Sequence, residues 1–242
     1  MNHPRGFDVR VHRAFSMVEI LIVIAMLAVL GAILFPIIAT ARRAAQQIQC
    51  ASRLRALGHA FICYASDNDG GMPTTSLSGI SPANWIYWQK TRDINQSPMA
   101  QYLQLQDDLL RQALRCPATP PENQVGYDHG APYPLTFTMN GFLGMSPYQS
   151  LKYHRIQIPQ RKILIYDENE NADDDVFWYQ TTRDTIAGRH GNRSTQHTDI
   201  NDNQSLVTRF MGNGLFFDGH VELVDNDTCH KAEWNDPMWT HN

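Results

Sequence analysis

The chain has few cysteines, and none of them is spaced like a metal knuckle. Only Cys50, Cys63, Cys116 and Cys229 occur among 242 residues, without any C-x-x-C pair, so the sequence does not indicate a zinc knuckle or a redox pair. Cys50 and Cys63 share one predicted helix and lie about 20 Å apart along it, too far to bridge. An oxidising compartment would permit disulfides. Each helix cysteine is then expected to pair with Cys116 or Cys229 or to stay free, and a Cys50–Cys116 bridge is one of these open choices.

The usual signatures of enzymes and nucleic-acid binders are also missing. The chain contains no H-E-x-x-H, G-x-S-x-G or P-loop motif, and we expect no enzymatic activity. It has 20 basic and 24 acidic residues, for a net charge of −4, which is not the footprint of a nucleic-acid binder. A hydrophobic content of 43% indicates a folded protein. The length is sufficient for one domain plus an extended element.

The N-terminus changes abruptly from a polar leader to an apolar run. Residues 1–14 are polar and carry three arginines against one acid. The stretch from Phe15 to Ala41 is apolar except for Glu19, and two arginines follow it. The part from Ile20 to Ala39 is uncharged and would form about 30 Å of helix. That length matches the hydrocarbon core of a bilayer.

Glu19 distinguishes between the ordinary interpretations of this run. A secretory signal peptide would have a shorter apolar region, and a buried core helix rarely needs so many uncharged residues. A plain signal anchor fits the charges but gives Glu19 no role. A carboxylate entering hydrocarbon costs a few kcal/mol unless it is paired. Glu19 is therefore expected to have a functional partner.

The segment AFSMVE, from Ala14 to Glu19, resembles the processing site of type IV prepilins. Ala14 stands where glycine is commoner in that family, and Ser-Met replaces Thr-Leu. The resemblance implies that a membrane peptidase cleaves between Ala14 and Phe15 and methylates the new amino group. It also implies that Glu19 pairs with the N-terminal amine of a neighbouring subunit. Pro36 falls where pilin helices have a proline, and it is expected to kink or locally melt the helix.

Beyond Arg42 the apolar run becomes an amphipathic pattern. One helix is predicted from about Ser16 to Ala65, and the turn-rich segment 66–73 ends it. Its apolar positions recur every three or four residues; they are Ile48, Ala51, Leu54, Leu57, Phe61 and Tyr64. The expected fold is α+β: a long helix, hydrophobic and then amphipathic, packed on a small antiparallel β-sheet with irregular loops. The expected divisions are a leader (1–14), a transmembrane or filament-core helix (15–41), an amphipathic helix half (42–66) and a globular domain (67–242).

Shorter patterns predict the elements of the globular domain. The stretch from Asn95 to Arg115 has apolar residues at partly helical spacing and predicts a helix. Alternation from Leu135 to Asn140 predicts a half-buried strand, and Ile163 to Tyr166 predicts another. The stretch from Arg209 to Val224 predicts a hairpin whose Asp218-Gly219 turn requires positive φ at both residues.

A second resemblance extends into the domain. Residues 50–73, the Cys116-Pro117 pair and the Met-Asn-Gly at 139–141 are similar to segments of pilin-like proteins from planctomycete- and lentisphaera-type bacteria. Those proteins end in a His-containing motif followed by Asp-Gly. Here His190 and the pair Asp218-Gly219 correspond to it, separated by a polar insertion.

The acidic stretch after Tyr166 is a candidate calcium site. Oxygen ligands suit Ca²⁺, and the resemblance to type II secretion pseudopilins implies a calcium site in a C-terminal loop. EF-hand spacing is absent. The candidate ligands are Asp167, Glu168, Asp173, Asp174 and Asp175.

These observations predict a structural protein of the inner membrane. The resemblance implies a single-pass subunit of a type IV pilus-like or type II secretion pseudopilus filament, with an extracytoplasmic C-terminal domain. Its implied partners are other pilin-like subunits, prepilin peptidase and an inner-membrane assembly platform. The alternatives are a non-polymerising, membrane-anchored binding protein whose tryptophans contact a ligand, and an anchored hydrolase that uses His190 or Asp218.

Overall fold

The structure, a computed structural model, describes residues 16–89, 91–119, 135–144, 151–168, 175–177, 186–190, 211–225, 228 and 231–238. The chain divides into two compact units, Met1–Arg42 and Arg43–Asn242. The class is α+β, as expected. The helices and strands are α1 (Met17–Asp67), α2 (Pro98–Leu103), α3 (Asp107–Ala113), β1 (Phe137–Asn140), β2 (Ile163–Asp167), β3 (Val176–Phe177), β4 (Met211–Phe216), β5 (Val221–Asp225) and α4 (Ala232–Asn235).

The long N-terminal helix predicted from the sequence is confirmed as α1. It continues through Pro36 without interruption, so this proline does not melt the helix locally. Beside it, the Thr40 hydroxyl donates a hydrogen bond of 2.8 Å to the carbonyl oxygen of Ile37. The helix ends where the Gly70 N–H donates to the Ala65 carbonyl oxygen at 2.7 Å, a bond typical of helix C-termini.

One stripe of the second half of α1 is buried in the domain core. Its main members recur every three or four residues, as one helix face requires; they are Cys50, Leu54, Leu57, Phe61 and Ala65. The sequence placed Ile48 on this face, which is wrong, because Ile48 is 69% exposed.

The sheet is mixed rather than purely antiparallel, which corrects the sequence expectation. Its strand order is β3-β1-β2-β4-β5. The β1–β2, β2–β4 and β4–β5 pairs are antiparallel, whereas β1 and β3 are parallel. β3 lies beside β1, on the side away from β2. There Val176 pairs with Met139, so β3 runs in the direction of β1.

The central strands are buried on both faces, so the prediction of a half-buried strand at β1 is wrong. Thr136 and Thr138 are as buried as the apolar residues that alternate with them. On β2, Ile165 joins the larger hydrophobic cluster while Ile163 and Tyr166 join a smaller one. The alternation of apolar residues and threonines around β1 therefore does not indicate a solvent-exposed face.

The predicted hairpin is confirmed, with a different turn. Four residues, Phe217 to His220, connect β4 to β5. Gly219 has φ of +90°, and Asp218 is not among the residues with positive φ. The Phe216 N–H donates to the His220 carbonyl oxygen at 3.0 Å. In a four-residue connection only the glycine needs the left-handed region, unlike the two-residue turn that the sequence suggested.

The helix predicted from Asn95 to Arg115 is two short helices, α2 and α3. Gln104 adopts a left-handed conformation with φ of +55° and ends α2. The Asn95 side chain stabilises the connection between α2 and α3 by two hydrogen bonds to Asp107. Its Oδ1 accepts the Asp107 N–H at 2.7 Å, and its Nδ2 donates to Asp107 Oδ1 at 2.9 Å.

Candidate functional site

The start of α1 gives Glu19 a partner within its own chain. Glu19 Oε2 accepts the Ser16 N–H at 2.8 Å, and Ser16 Oγ accepts the Val18 N–H at 3.3 Å. This reciprocal arrangement is a capping box, which satisfies N–H groups that the first helical turn leaves free. The predicted processing residues, Ala14 and Phe15, lie outside the described residues.

The first half of α1 exposes its apolar side chains in all directions. Leu21, Ile22, Val23 and Ile24 are all exposed, and four consecutive residues point about 100° apart around a helix. The most apolar stretch of α1 buries no residue against the rest of the described chain. By length and composition, α1 is able to cross a membrane.

The two parts of the C-terminal motif have different surroundings. Asp218 and Gly219 form the β4–β5 turn, where Asp218 Oδ1 lies 2.6 Å from His220 Nδ1 and accepts the His220 N–H at 3.1 Å. His190 is buried, and its N–H donates to the Met211 carbonyl oxygen at 3.2 Å. Asp218 thus pairs with the histidine that follows it, while His190 contributes to the core.

Of the candidate calcium ligands that the structure describes, Glu168 is buried and its backbone N–H donates to the Thr136 carbonyl oxygen at 2.8 Å, while the carboxylates of Asp167 and Asp175 contact other side chains. The Asp167 carboxylate pairs with Arg189. The Asp175 carboxylate accepts hydrogen bonds from Ser76 and from Trp88 Nε1, the latter at 2.9 Å. Burial raises the pKa of Asp175 although these hydrogen bonds oppose the shift. Asp173 and Asp174 lie outside the described residues, so the calcium site stays a prediction.

Four potential metal ligands meet in the core. They come from the middle of α1, from the segment after α3, from the end of β2 and from the segment before β4. All four residues are buried, and one donor atom from each lies within 4.8 Å of the other three. We call this set the CCDH cluster; its members are Cys50, Cys116, Asp167 and His190.

Hydrogen bonds seat Cys116 beside α1. Gln46 Nε2 donates to the Pro117 carbonyl oxygen at 3.1 Å, and Arg53 Nη1 donates to the Arg115 carbonyl oxygen at 2.7 Å. The Cys116 N–H donates to Thr136 Oγ1 at 2.7 Å. These bonds fix the Cys116 backbone between the helix and the segment that leads into β1.

Within the cluster, Cys116 Sγ lies 3.1 Å from His190 Nε2. His190 Nε2 in turn lies 3.8 Å from Asp167 Oδ2. The other oxygen of that carboxylate, Oδ1, pairs with Arg189 Nη1 at 2.5 Å. Cys50 and Cys116 are free thiols in the structure. The bridge that the sequence left open is therefore compatible with their proximity but is not formed.

Charge in the cluster follows from its burial. Burial and the neighbouring Arg189 lower the pKa of His190 to about 4, so its imidazole is neutral at physiological pH. A hydrogen bond with Cys50, together with burial, raises the pKa of the Cys116 thiol. Burial also raises the pKa of Asp167, and Arg189 opposes that shift.

Comparison with family models, curated proteins and solved structures finds no match for this chain. The cluster is therefore interpreted from its own geometry. Sequence reasoning missed it because the four residues are far apart in the chain and no C-x-x-C pair marks them. A signal did exist, since Cys50, Cys116 and His190 all stand in segments that carry the second resemblance.

Proposed function

We propose that the chain is a structural subunit of a type IV pilus-like or type II secretion pseudopilus filament. Prepilin peptidase removes its leader between Ala14 and Phe15, and an inner-membrane platform assembles it with other pilin-like subunits. The domain that follows α1 lies outside the cytoplasm. The observation that carries this proposal is the exposed apolar run of α1, uncharged from Ile20 to Ala39, with Glu19 just before it.

An exposed apolar helix needs an apolar surrounding. Burial of apolar surface is worth about 25 cal/mol per Å², and the large apolar side chains of α1 between Met17 and Ile38 are exposed in the single chain. Lipid surrounds these side chains before assembly. In a filament, the same side chains of neighbouring subunits surround them instead.

Glu19 then sets the register between subunits. A carboxylate in an apolar core is costly without a counter-charge. In the single chain Glu19 caps its own helix, and in the filament the amine of Phe15 from an adjacent subunit neutralises it. A Glu19→Gln substitution separates the effect of the negative charge from that of the helix cap, because glutamine can also complete a capping box at this position.

Intact mass and N-terminal sequencing of the protein from native membranes test the processing step. A chain beginning at methylated Phe15 supports the proposal. A chain beginning at Met1, extracted as a monomer, instead indicates a membrane-anchored binding protein. Two of the tryptophans that could contact a ligand in such a binding protein already have contacts within the chain. Trp85 is fully buried, and Trp88 Nε1 donates a hydrogen bond to Asp175 Oδ1.

Glu19 variants test the assembly step. We expect both Glu19→Gln and Glu19→Ala to abolish sheared or cross-linked filaments, since neither supplies a negative charge. Ser16→Ala, which removes only the side-chain cap on Val18, is the matched control and should assemble. Normal assembly of Glu19→Gln would mean that Glu19 acts as a helix cap and not as a register device.

A further inference from the structure

The CCDH cluster brings together two sulfur donors, one imidazole nitrogen and one carboxylate oxygen. Their exposed fractions are 0% for Cys50, 1% for Cys116, 0% for Asp167 and 4% for His190. Ligand atoms on a tetrahedral Zn²⁺ are roughly 3.3–3.8 Å apart, given bonds of about 2.0–2.3 Å. The separations of 3.1 Å and 3.8 Å within the cluster are close to that range.

One carboxylate oxygen of the cluster has no hydrogen-bond partner among the described residues. Asp167 Oδ2 is buried, and in the part of the chain that the structure describes no donor lies in hydrogen-bonding geometry to it, although the nearby Cys116 and Thr136 side chains help to lower the pKa of the Asp167 carboxyl. Its nearest cluster neighbour, His190 Nε2, lies 3.8 Å away. Arg189 holds the opposite oxygen, Oδ1, and so orients the carboxylate with Oδ2 toward His190. A buried polar atom without a partner destabilises the fold, and a bound cation would remove that penalty.

We propose that Cys50 Sγ, Cys116 Sγ, Asp167 and His190 Nε2 bind one Zn²⁺ ion. Thiolate, imidazole and carboxylate are the ligands that zinc uses in proteins, and four protein ligands make a closed structural site. Burial of all four residues leaves no open position for a substrate. The site therefore has a structural role and not a catalytic one.

The charges of the occupied site balance. Two thiolates and one carboxylate contribute −3, the ion +2 and Arg189 +1, so the buried assembly is neutral. Binding releases the two thiol protons to solvent and involves no oxidation or reduction.

A Cys50–Cys116 disulfide is the competing state of the two sulfurs. It would need an oxidant, and it would give Asp167 Oδ2 no donor and His190 Nε2 no ligand. The metal engages all four groups at once. It also ties α1 to β2 and to the segments that carry Cys116 and His190, whether or not the chain assembles into filaments.

The test uses the full chain purified in detergent without chelator. We expect elemental analysis to find about one equivalent of zinc per chain, the stoichiometry of a closed four-ligand site. Cys50→Ser and Cys116→Ser should lose most of that zinc. Cys63→Ser is the matched control, because Cys63 is an exposed thiol on the same helix, and it should retain the full equivalent.

A second measurement needs no variant. After the zinc is removed with a chelator under reducing conditions, Co²⁺ added to the wild-type chain should produce the absorption bands of a tetrahedral, thiolate-bound ion, and Zn²⁺ should abolish them. Absence of these bands overturns the proposal even if the serine variants fail to fold. A purified chain that carries no zinc and whose intact mass is lower by two hydrogens, as for one disulfide, also overturns the proposal. Full zinc retention by the Cys50→Ser, Cys116→Ser double variant overturns it as well.

Discussion

Gly212 of β4 lies directly against the backbone of Ala187. A Cβ on Gly212 would come within 2.8 Å of the Ala187 carbonyl oxygen and within 2.7 Å of Ile186 Cγ1. The segment 186–190 also carries Arg189 and His190. A glycine in β4 therefore allows the close approach that places His190 in the CCDH cluster and Arg189 beside Asp167.

We expect Gly212→Ala to displace this segment. Overpacking of this kind costs about 1–3 kcal/mol, and the displacement should also weaken zinc binding. Gly214→Ala is the comparison, because its Cβ would meet Val224 Cγ2 at 2.7 Å, which is on β5 and not in the segment 186–190. Urea unfolding should show both variants destabilised, with zinc affinity lowered only in Gly212→Ala. Equal zinc affinities in the two variants would contradict the proposal that Gly212 positions the segment 186–190.

Arg189 is expected to be essential to the fold as the counter-charge of Asp167. Both side chains are almost completely buried, and removing one member of a buried ion pair costs about 3–5 kcal/mol. Arg189→Met should lower the free energy of unfolding by that amount when measured with chelator present. The double variant Asp167→Asn, Arg189→Met should recover part of the loss, because no charge is then left unpaired. If the double variant lost as much free energy of unfolding as Arg189→Met alone, Arg189 and Asp167 would not be energetically coupled.

Two positions on α1 should differ sharply in their contribution to stability. Leu54 is fully buried, and truncation of such a leucine to alanine costs about 2–5 kcal/mol. Ile48, on the same helix, is mostly exposed, and we expect Ile48→Ala to stay within about 0.5 kcal/mol of the wild type. Chemical unfolding of the full chain in detergent measures both values. Similar losses at the two sites would mean that the buried face of α1 is assigned incorrectly.

Asp175 should make stability depend on pH. Burial raises its pKa in the folded chain above the unfolded value of about 3.9, so ionisation favours the unfolded state. Its stabilising contribution is therefore complete below about pH 3.9 and is lost as the pH rises through the raised folded pKa. The free energy of unfolding of the wild type relative to Asp175→Asn should fall over that interval. Urea unfolding at a series of pH values measures the difference, and a constant or rising difference would contradict the expectation.

Local patterns were sufficient for the elements whose residues interact with near neighbours in the chain. The apolar run from Met17 specifies a helix, because helical hydrogen bonds join residues four positions apart. The cap formed by Ser16 and Glu19 is also local, but the sequence analysis did not predict it. The strand at Ile163 and the hairpin around Gly219 were found for the same reason. Alternation and turn residues are properties of short segments.

Contacts between distant segments were decided by the tertiary structure alone. The burial of Thr138, the parallel pairing of β3 with β1 and the exposure of Ile48 depend on what covers each element, and no local pattern carries that information. The CCDH cluster is the clearest case. The sequence by itself determined that the chain has four residues of types able to bind a metal. Only the packing of α1 and the Cys116 segment against the sheet brings their donor atoms within 4.8 Å of one another. The physical reason is that ligands from separate segments form a site only once those segments are packed together.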